Sequence, residues 1–462
     1  MRRAWRYLRG HLLLAAPQDL LAEVERSHPL RCLEPCPFPR EAYVARGTGR
    51  GRRWEAVRLP PPAPPPGALW VRRAVAEGAE EAELVAHLAR SGRAVYGSLD
   101  LEVLGQLEVS HGSPTPDAAI RLPGADQAAF RAQPALAELG LWEADRAPWR
   151  PRGEGVTVVI LDSGPEAGRA GPPFDPELVD VYVEWPQRLP EGLPVLAEIP
   201  EPDGSECGVV DRRRPVVWSP LLATDEQMRA YRAHHGVMVA SLVRLVAPRA
   251  QIVLVRVLNG ALGAATYEVV EAMRWVGALA RSPVPHPDTG RPLVSAPLVY
   301  NLSLGVDRSQ PETVQSCVLL LAVDELARQR ALMVCAAGNL SQGRPENCLE
   351  PAAYGQFGDT LAAQTQVVPV AATSAAQPDR YAWFSNEAHF GAPGEDLVLD
   401  CGTEVAGSRY LRWSGTSFAA ALVSGVLAVW LSTGLPPESA KARLWERARR
   451  PSRWDGVHAV RL

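Results

Sequence analysis

Four side chains of the types used in nucleophilic catalysis occur in order along this chain. Asp162 follows the apolar run VTVVIL, and His235 precedes Gly236 at the start of a run of small and apolar residues. Asn339 ends the segment CAAGN, and Ser417 opens a long apolar stretch after Gly-Thr. An acid, a base, an amide donor and a hydroxyl are the groups that acyl transfer requires.

Each of these residues also has a purely structural explanation when it is considered alone. An aspartate or asparagine after a strand commonly forms a turn, and a serine at a helix start commonly caps the helix. His234 is adjacent to His235 but is not followed by glycine, so we rank it lower as a base. The joint order of acid, base, donor and nucleophile, each at a strand end or helix start, favours a catalytic site.

The elements that must position these residues are apolar strands alternating with helices. The predicted strands are Val156–Leu161, Ile252–Leu258, Leu298–Leu304, Ala331–Ala336 and Val367–Ala371, and the predicted helices span 236–246, 266–281 and 312–328. Almost wholly apolar runs are typical of parallel strands buried on both faces. This alternation predicts an α/β domain with a central parallel sheet, whose active site lies at the carboxyl ends of the strands.

The motifs resemble those of the subtilisin-like serine peptidases, or subtilases. The matching segments are ILDSG around Asp162, HGVMVAS around His235, NLSLG from Asn301, AAGN ending at Asn339, SGTSFAA around Ser417 and WFSNEAHFGAPGEDL from Trp383. The resemblance covers residues 128–445. It implies a three-layer fold with a central, mostly parallel sheet flanked by helices, plus a small α+β module at the N-terminus.

The resemblance also implies a role for each residue. Ser417 attacks the scissile carbonyl, His235 takes its proton, Asp162 supports the imidazolium, and Asn339 donates to the oxyanion. The residues implied to line the substrate cleft are Ser303, Leu304 and Gly305 on one side and Ala337 and Gly338 on the other. Two positions depart from the family pattern: Ala421 replaces a usual proline, and Met238 replaces a frequent histidine.

We predict three regions along the chain. Residues 1–67 form an Arg- and Pro-rich segment, 68–127 a small β-α-β module with its connector, and 128–462 the catalytic domain with an insertion around 165–230. Residues 94–109 alternate as an exposed strand pair would. The module admits three interpretations: a propeptide-like inhibitor, a retained docking or regulatory domain, or a structural extension. The absence of a clear export signal favours a retained or regulatory module.

The composition of the chain limits the classes of partner and the cellular compartment that we predict for the protein. The net charge of −4 favours neither nucleic acid nor a membrane as a partner. The N-terminal apolar run Leu12–Ala16 is shorter than the roughly 7–15 residues of a secretory signal, and the seven irregularly spaced cysteines do not form a secreted disulfide framework. We therefore predict a cytoplasmic rather than a secreted protein.

The sequence predicts a regulated serine endopeptidase that acts on proteins or peptides and requires no cofactor. Calcium binding is possible by resemblance, but no site is assigned, and Cys32 and Cys36 are only half of a zinc site. A regulatory protein could bind the N-terminal module or the insertion. Two alternatives stay open: a catalytically silent subtilase fold that acts as a scaffold, and an esterase or amidase that uses the same triad.

Overall fold

The structure is a computed structural model of the 462-residue chain. It describes residues 4–33, 38–47, 51–61, 69–77, 81–90, 96–105, 125–139, 152–186, 196–200, 230–258, 263–306, 317–339, 348–357, 361–448 and 458–459.

The strands and helices are numbered in chain order within these ranges. The strands are β1 (Ala4–Ala16), β2 (Leu30–Cys32), β3 (Glu41–Arg46), β4 (Arg53–Arg58), β5 (Trp70–Ala76), β6 (Tyr96–Gly105), β7 (Thr157–Asp162), β8 (Val181–Glu184), β9 (Leu196–Pro200), β10 (Gln251–Arg256), β11 (Gly263–Ala265), β12 (Leu298–Leu302), β13 (Leu304–Gly305), β14 (Leu332–Ala336), β15 (Val367–Thr373), β16 (Phe390–Pro393), β17 (Leu397–Val405), β18 (Ser408–Trp413) and β19 (His458–Ala459). The helices are α1 (Gln18–Ser27), α2 (Glu81–Arg90), α3 (Gln127–Arg131), α4 (Pro134–Glu138), α5 (His235–Val246), α6 (Thr266–Arg281), α7 (Cys317–Arg328), α8 (Tyr354–Phe357), α9 (Leu361–Gln366), α10 (Thr416–Leu431) and α11 (Pro437–Ala448).

The central sheet has the strand order β19-β16-β15-β14-β12-β7-β10-β8-β3-β4 in the described part of the chain. Strands β19 to β8 pair in parallel, and β3 and β4 join one edge antiparallel. Every residue of β7, β12, β14 and β15 is buried, as expected when helices cover both faces of a parallel sheet. The predicted α/β fold with a central parallel sheet is confirmed.

Two helix pairs accompany this sheet. Helix α5 packs against α10, and α10 contacts β12, β14, β15 and β16. Because α10 has the nearly uninterrupted apolar sequence SFAAALVSGVLAVWL, almost all of its residues are buried. Helices α6 and α7 pack against each other and contact β7 and β14. None of the described helices is both long and apolar enough to span a bilayer.

A second, antiparallel sheet is built largely from the N-terminal module. Its strand order is β11-β6-β1-β5-β2, with β13 also paired to β6 and β9 also paired to β1. Helices α1 and α2 pack against β1. The apolar run Leu12–Ala16 at the end of β1 is fully buried in this module. This run, which we predicted to be too short for an export signal, is therefore part of a core strand.

The structure does not follow three expectations about this region. The boundary predicted at residue 67 is not a structural division, because β1 pairs with both β5 and β6. Residues 96–105 form one strand with partners on both sides, not an exposed strand pair; residues 94–95 and 106–109 lie outside the described residues. The insertion predicted from residue 165 begins later, because β8 is an internal strand of the central sheet.

Candidate active site

Asp162 is the last residue of β7, at the carboxyl edge of the central sheet. Its main-chain carbonyl accepts hydrogen bonds from the amides of Val257 and Leu258, at 2.9 and 3.1 Å. Its side-chain Oδ1 accepts a hydrogen bond from the amide of Ser163 at 2.6 Å. These bonds fix the carboxylate in one orientation, and the side chain is fully buried.

His235 is the first residue of α5 and contacts this carboxylate. Its Nδ1 lies 2.8 Å from Asp162 Oδ1, and both side chains are 0% exposed. An ionised carboxylate only accepts hydrogen bonds, so Nδ1 carries the proton and a neutral imidazole presents its lone pair at Nε2. This is the arrangement that a general base needs.

The close approach of α5 to β7 depends on Gly236. A Cβ atom at this position would lie 2.3 Å from the carbonyl oxygen of Ser163 and 2.9 Å from Asp162 Cβ. The Ser163 hydroxyl also donates to the carbonyl of Arg232 at 2.7 Å, which holds the chain just before the helix. The glycine after the histidine is therefore required for the carboxylate–imidazole contact.

The neighbouring His234 does not take part in this arrangement. Its Nδ1 lies 3.1 Å from the carbonyl oxygen of Ala230. Burial lowers the pKa of the His234 imidazole below its ordinary value. Of the two adjacent histidines, His235 is therefore the one in contact with Asp162.

Ser417 is the second residue of α10, after the N-cap residue Gly415. The side chain of Ser417 is fully buried. The ring centroid of the next residue, Phe418, lies 5.4 Å from the ring centroid of His235. Within the described residues neither Ser417 Oγ nor His235 Nε2 has a hydrogen-bond partner. The contact between Asp162 and His235 is therefore formed, whereas His235 Nε2 and Ser417 Oγ are not hydrogen-bonded to each other. Hydrogen bonds that serve catalysis are often long in sites without substrate.

Asn339 follows β14 and is held by the residue that precedes the nucleophile. Its Oδ1 accepts hydrogen bonds from the amide and the hydroxyl of Thr416, both at 2.9 Å. The same hydroxyl accepts a bond from the amide of Gly338 at 3.2 Å. Its Nδ2 lies 3.7 Å from the position that a Cβ atom on Gly415 would take. Sequence reasoning missed Thr416, although its position directly before Ser417 was a usable signal.

Ser303 lies between β12 and β13 and contacts helix α10, which carries Ser417. Its hydroxyl donates to Asn301 Oδ1 at 2.9 Å and lies 3.4 Å from the carbonyl oxygen of Ser417. Asn301 in turn donates to Ser424 Oγ at 3.1 Å. The next two residues, Leu304 and Gly305, form β13 and pair with β6 of the N-terminal module.

The residues predicted for the opposite wall of the cleft are hydrogen-bonded within the protein. The amide of Ala337 donates to the carbonyl of Val370 at 2.8 Å, and the amide of Gly338 is bonded to Thr416. Both amides are therefore used inside the protein in this structure, and the substrate pairing of Ala337 and Gly338 stays a prediction. The strand opposite β13 is β11, which sequence reasoning missed because Gly263–Ala265 carries no apolar pattern.

Strand β6 lies between β11 and β13. Leu104 pairs with Gly263 on one side and with Gly305 on the other, and Gly105 pairs with Leu304. The described part of β6 thus ends opposite the residue after Ser303. In this structure the chain's own N-terminal module occupies the position between β11 and β13.

No group of three or more His, Cys, Asp and Glu side chains in the described ranges is arranged to hold a metal ion. Cys32 is half-buried and free, and Cys36 lies outside the described residues.

Comparison with known proteins agrees with this geometry. A family model described as "Subtilase family" matches residues 153–457. The chain belongs to the subtilase family. This confirms the resemblance seen in the motifs.

The subtilase is 30% identical over 189 residues to the "Major intracellular serine protease" of Bacillus subtilis (strain 168). The alignment covers 40% of this chain and 48% of that protein, so the subtilase spans about half the length of this relative. Among solved structures it is similar to fervidolysin from Fervidobacterium pennivorans, "a keratinolytic enzyme related to subtilisin", with a TM-score of 0.54 at 17% identity over 98% of this chain and 60% of that chain. A "cold adapted subtilisin-like serine proteinase" matches with a TM-score of 0.40 at 23% identity, over 67% of this chain and 89% of that chain.

Proposed function

We propose that this subtilase is a serine endopeptidase that hydrolyses peptide bonds through an acyl-enzyme on Ser417. The observation that carries the proposal is the 2.8 Å contact between His235 Nδ1 and Asp162 Oδ1, buried at the carboxyl edge of the sheet beside the N-terminus of α10. This contact sets the tautomer of the base and directs its other nitrogen away from the carboxylate.

In the proposed reaction Ser417 Oγ attacks the scissile carbonyl carbon while His235 Nε2 takes the hydroxyl proton. The tetrahedral oxyanion accepts hydrogen bonds from Asn339 Nδ2 and from the main-chain amide of Ser417 at the helix N-terminus. Collapse of this intermediate breaks the C–N bond, and the amine leaves with the proton from His235. Water then attacks the acyl-enzyme by the same route, which releases the acid and restores Ser417.

This chemistry needs the base–nucleophile hydrogen bond to form when substrate enters. His235 Nε2 and Ser417 Oγ lack other partners within the described residues, so neither group must give up a competing bond. All four roles belong to side chains or main-chain amides, and we propose that the reaction requires no cofactor. Calcium remains a proposal without an assigned site.

A protein or peptide substrate is favoured by the two walls of the groove. Strands β11 and β13 each offer main-chain groups to a strand placed between them, and β6 uses them in this structure. An extended polypeptide can replace β6 with the same backbone bonds. A small ester could not use both walls, which favours an endopeptidase over an esterase.

The position of β6 also supports regulation by the N-terminal module. While Leu104 and Gly105 occupy the groove, substrate has no strand to pair with. We propose an enzyme that acts inside the cell and is held inactive by its own module until β6 is displaced, with a partner protein at the module or the insertion as one route. The similar Bacillus subtilis protein is named an intracellular protease.

A fluorophosphonate probe with intact-mass detection tests this proposal. The proteins compared are wild type, Ser417→Ala, Leu104→Pro, which removes a main-chain N–H from β6, and Leu104→Ala, which keeps it. We expect one adduct per chain, formed slowly on wild type and Leu104→Ala, faster on Leu104→Pro, and absent from Ser417→Ala. Subsequent assays on peptide and small ester substrates separate an endopeptidase from an esterase.

One observation favours a second candidate function, a catalytically silent scaffold. The base and the nucleophile are not hydrogen-bonded to each other, and both are fully buried. If no variant forms an adduct, including Leu104→Pro, while all remain folded by circular dichroism, the scaffold replaces the enzyme as the function.

A further inference from the structure

The hairpin β3–β4 belongs to the central sheet, although its sequence lies inside the N-terminal module. The chain leaves the module's sheet after β2, adds this hairpin to strand β8 of the central sheet, and returns to the module at β5. Tyr43 and Val44 pair with Tyr182 and Val181, and Val44 is fully buried. The hairpin is therefore part of the core that the catalytic residues share.

A half-buried carboxylate, that of Asp180, holds the hairpin to the catalytic domain. Asp180 accepts hydrogen bonds from Arg52 at 2.8 Å, from Arg244 at 2.6 Å and from the amide of Ile252 at 2.8 Å. Burial would raise the pKa of Asp180, but the two guanidinium groups and the amide outweigh it and hold the pKa below its ordinary value. Because Arg244 lies on α5, the helix that begins at His235, one carboxylate joins the hairpin to the helix of the catalytic base.

Trp54 makes a second attachment. Its Nε1 donates to the carbonyl of Phe174 at 3.1 Å, and the two rings pack edge to face with centroids 5.3 Å apart. The chain opposite comes so close that a Cβ on Gly171 would lie 2.5 Å from Trp54 Cβ, and Gly171 has a φ of +101°. The catalytic domain is shaped to receive this indole.

A strand from the catalytic domain also joins the sheet of the N-terminal module. Strand β9, between Asp162 and His235 in the sequence, pairs with β1 of the module from Ala4↔Pro200 to Leu8↔Leu196. Each sheet therefore contains strands from the other part of the chain. Separating the two parts would break backbone pairing in both sheets.

We propose that the N-terminal module, residues 4–105, is a permanent component of the folded protein that stays bound after the chain is cut between the module and the catalytic domain. The hairpin β3–β4 is the element that retains it. Strand β6 then blocks the groove while the module that carries it stays bound. Because β6 is held next to the groove, it competes with substrate at a high effective concentration. This proposal does not depend on peptidase activity and goes beyond the proposed function.

The test uses full-length Ser417→Ala protein with a site-specific protease sequence inserted after Ser113, so that the chain can be cut without self-digestion. The cut protein is diluted and run on size-exclusion chromatography, with both fragments followed by mass. Three further versions carry Leu104→Pro, which weakens β6 in the groove, Leu104→Pro with Arg52→Ala and Trp54→Ala, and Leu104→Pro with Arg53→Ala and Arg58→Ala. The last pair changes two exposed arginines of the same hairpin and is the matched control.

We expect the fragments of the cut parent, of Leu104→Pro and of the control to elute together, and those of the Arg52/Trp54 version to separate. Separation of the Leu104→Pro fragments would overturn the proposal, because the groove contact would then be what retains the module. Co-elution of the Arg52/Trp54 fragments would overturn the role of the hairpin. Circular dichroism checks whether the Arg52/Trp54 version is folded before cutting. If it is unfolded, a version with Trp54→Phe replaces it, and we expect its fragments to separate as well.

Discussion

Arg73 of β5 and Glu268 of α6 form an ion pair between the module and the catalytic domain. One guanidinium nitrogen, Nη2, lies 3.0 and 3.1 Å from the two carboxylate oxygens, and the side chains are only 6% and 5% exposed. The guanidinium also stacks over the ring of Tyr267 at 4.8 Å. Removing either charge would leave the other buried.

Replacing Arg73 by alanine should therefore lower the free energy of unfolding by about 3–5 kcal/mol, the usual effect of breaking one side of a buried pair. Urea unfolding of the Ser417→Ala protein measures this. The matched control is Arg31→Ala, because Arg31 and Glu77 are separated by 3.2 Å, close to the 3.0 Å of the Arg73–Glu268 pair, but their side chains are 61% and 57% exposed. Exposed pairs contribute little to stability. Equal effects of the two substitutions would contradict the buried role of Arg73.

Gly236→Ala should displace α5 from β7, because the new methyl group would lie 2.3 Å from the Ser163 carbonyl oxygen. We expect a loss of stability of about 1–3 kcal/mol from overpacking and a larger loss of turnover as His235 moves from Asp162. Gly51→Ala is the control, since its Cβ would meet nothing within 4 Å. A Gly236→Ala enzyme with unchanged kcat would show that the close approach is not needed.

Asn339→Ala should reduce kcat by about 10²–10³-fold with little change in KM, because an oxyanion donor acts in the transition state. That magnitude is the one known for the oxyanion-hole asparagine of subtilisin. Thr416→Val should give part of this loss by removing the hydroxyl that holds Asn339 Oδ1, whereas Thr416→Ser should retain activity. If the serine and valine variants behave alike, the hydroxyl does not position the amide.

The motifs single out the four side chains of the proposed site because each lies where a strand ends or a helix begins, and these local signals are readable in sequence. Helix α6 has the bounds that its periodicity predicts, and the five predicted strands appear with ends shifted by one or more residues. These elements can be predicted from local sequence because the spacing of apolar residues reflects which face of each helix or strand is buried.

Strand partners were harder to predict. The alternating pattern of 94–109 indicates a strand but does not say that residues 263–265 and 304–305 would flank it. Likewise, the four-residue strand β8 is too short for a clear period. The bond from Thr416 to Asn339 joins residues 77 positions apart, and no local rule connects them. Pairings of this kind follow from tertiary packing, which one sequence leaves open.

Lys441, the single lysine of the chain, gives a pH-dependent prediction. Its Nζ donates to the main-chain carbonyls of Gln364 and Val367, and burial lowers its pKa to about 8. An unfolded lysine has a pKa of about 10.4, so the unfolded state binds more protons between these values and stability rises with pH across the interval. Below pH 8 both states are charged, and the burial cost is fully present.

Thermal unfolding of Ser417→Ala and Ser417→Ala/Lys441→Met at several pH values from 7 to 11 measures this dependence. We expect the difference in stability between the two proteins to change by about 1–3 kcal/mol over the interval, in the direction that favours the lysine protein at high pH. A constant difference would mean that Lys441 titrates alike in the folded and unfolded states.

The reciprocal strand exchange has a consequence for how the chain is made. Strands β1 and β6 leave the ribosome before the pairing strand β9, and at about 5–20 residues per second some 10–40 s pass before residue 200 is synthesised. The module's sheet is incomplete during this time, and its edge is open to other chains or to chaperones. Ser417, in contrast, is translated more than 300 residues after β6. The proposed blocking strand is thus synthesised before the proposed nucleophile, so no active intermediate need arise during synthesis.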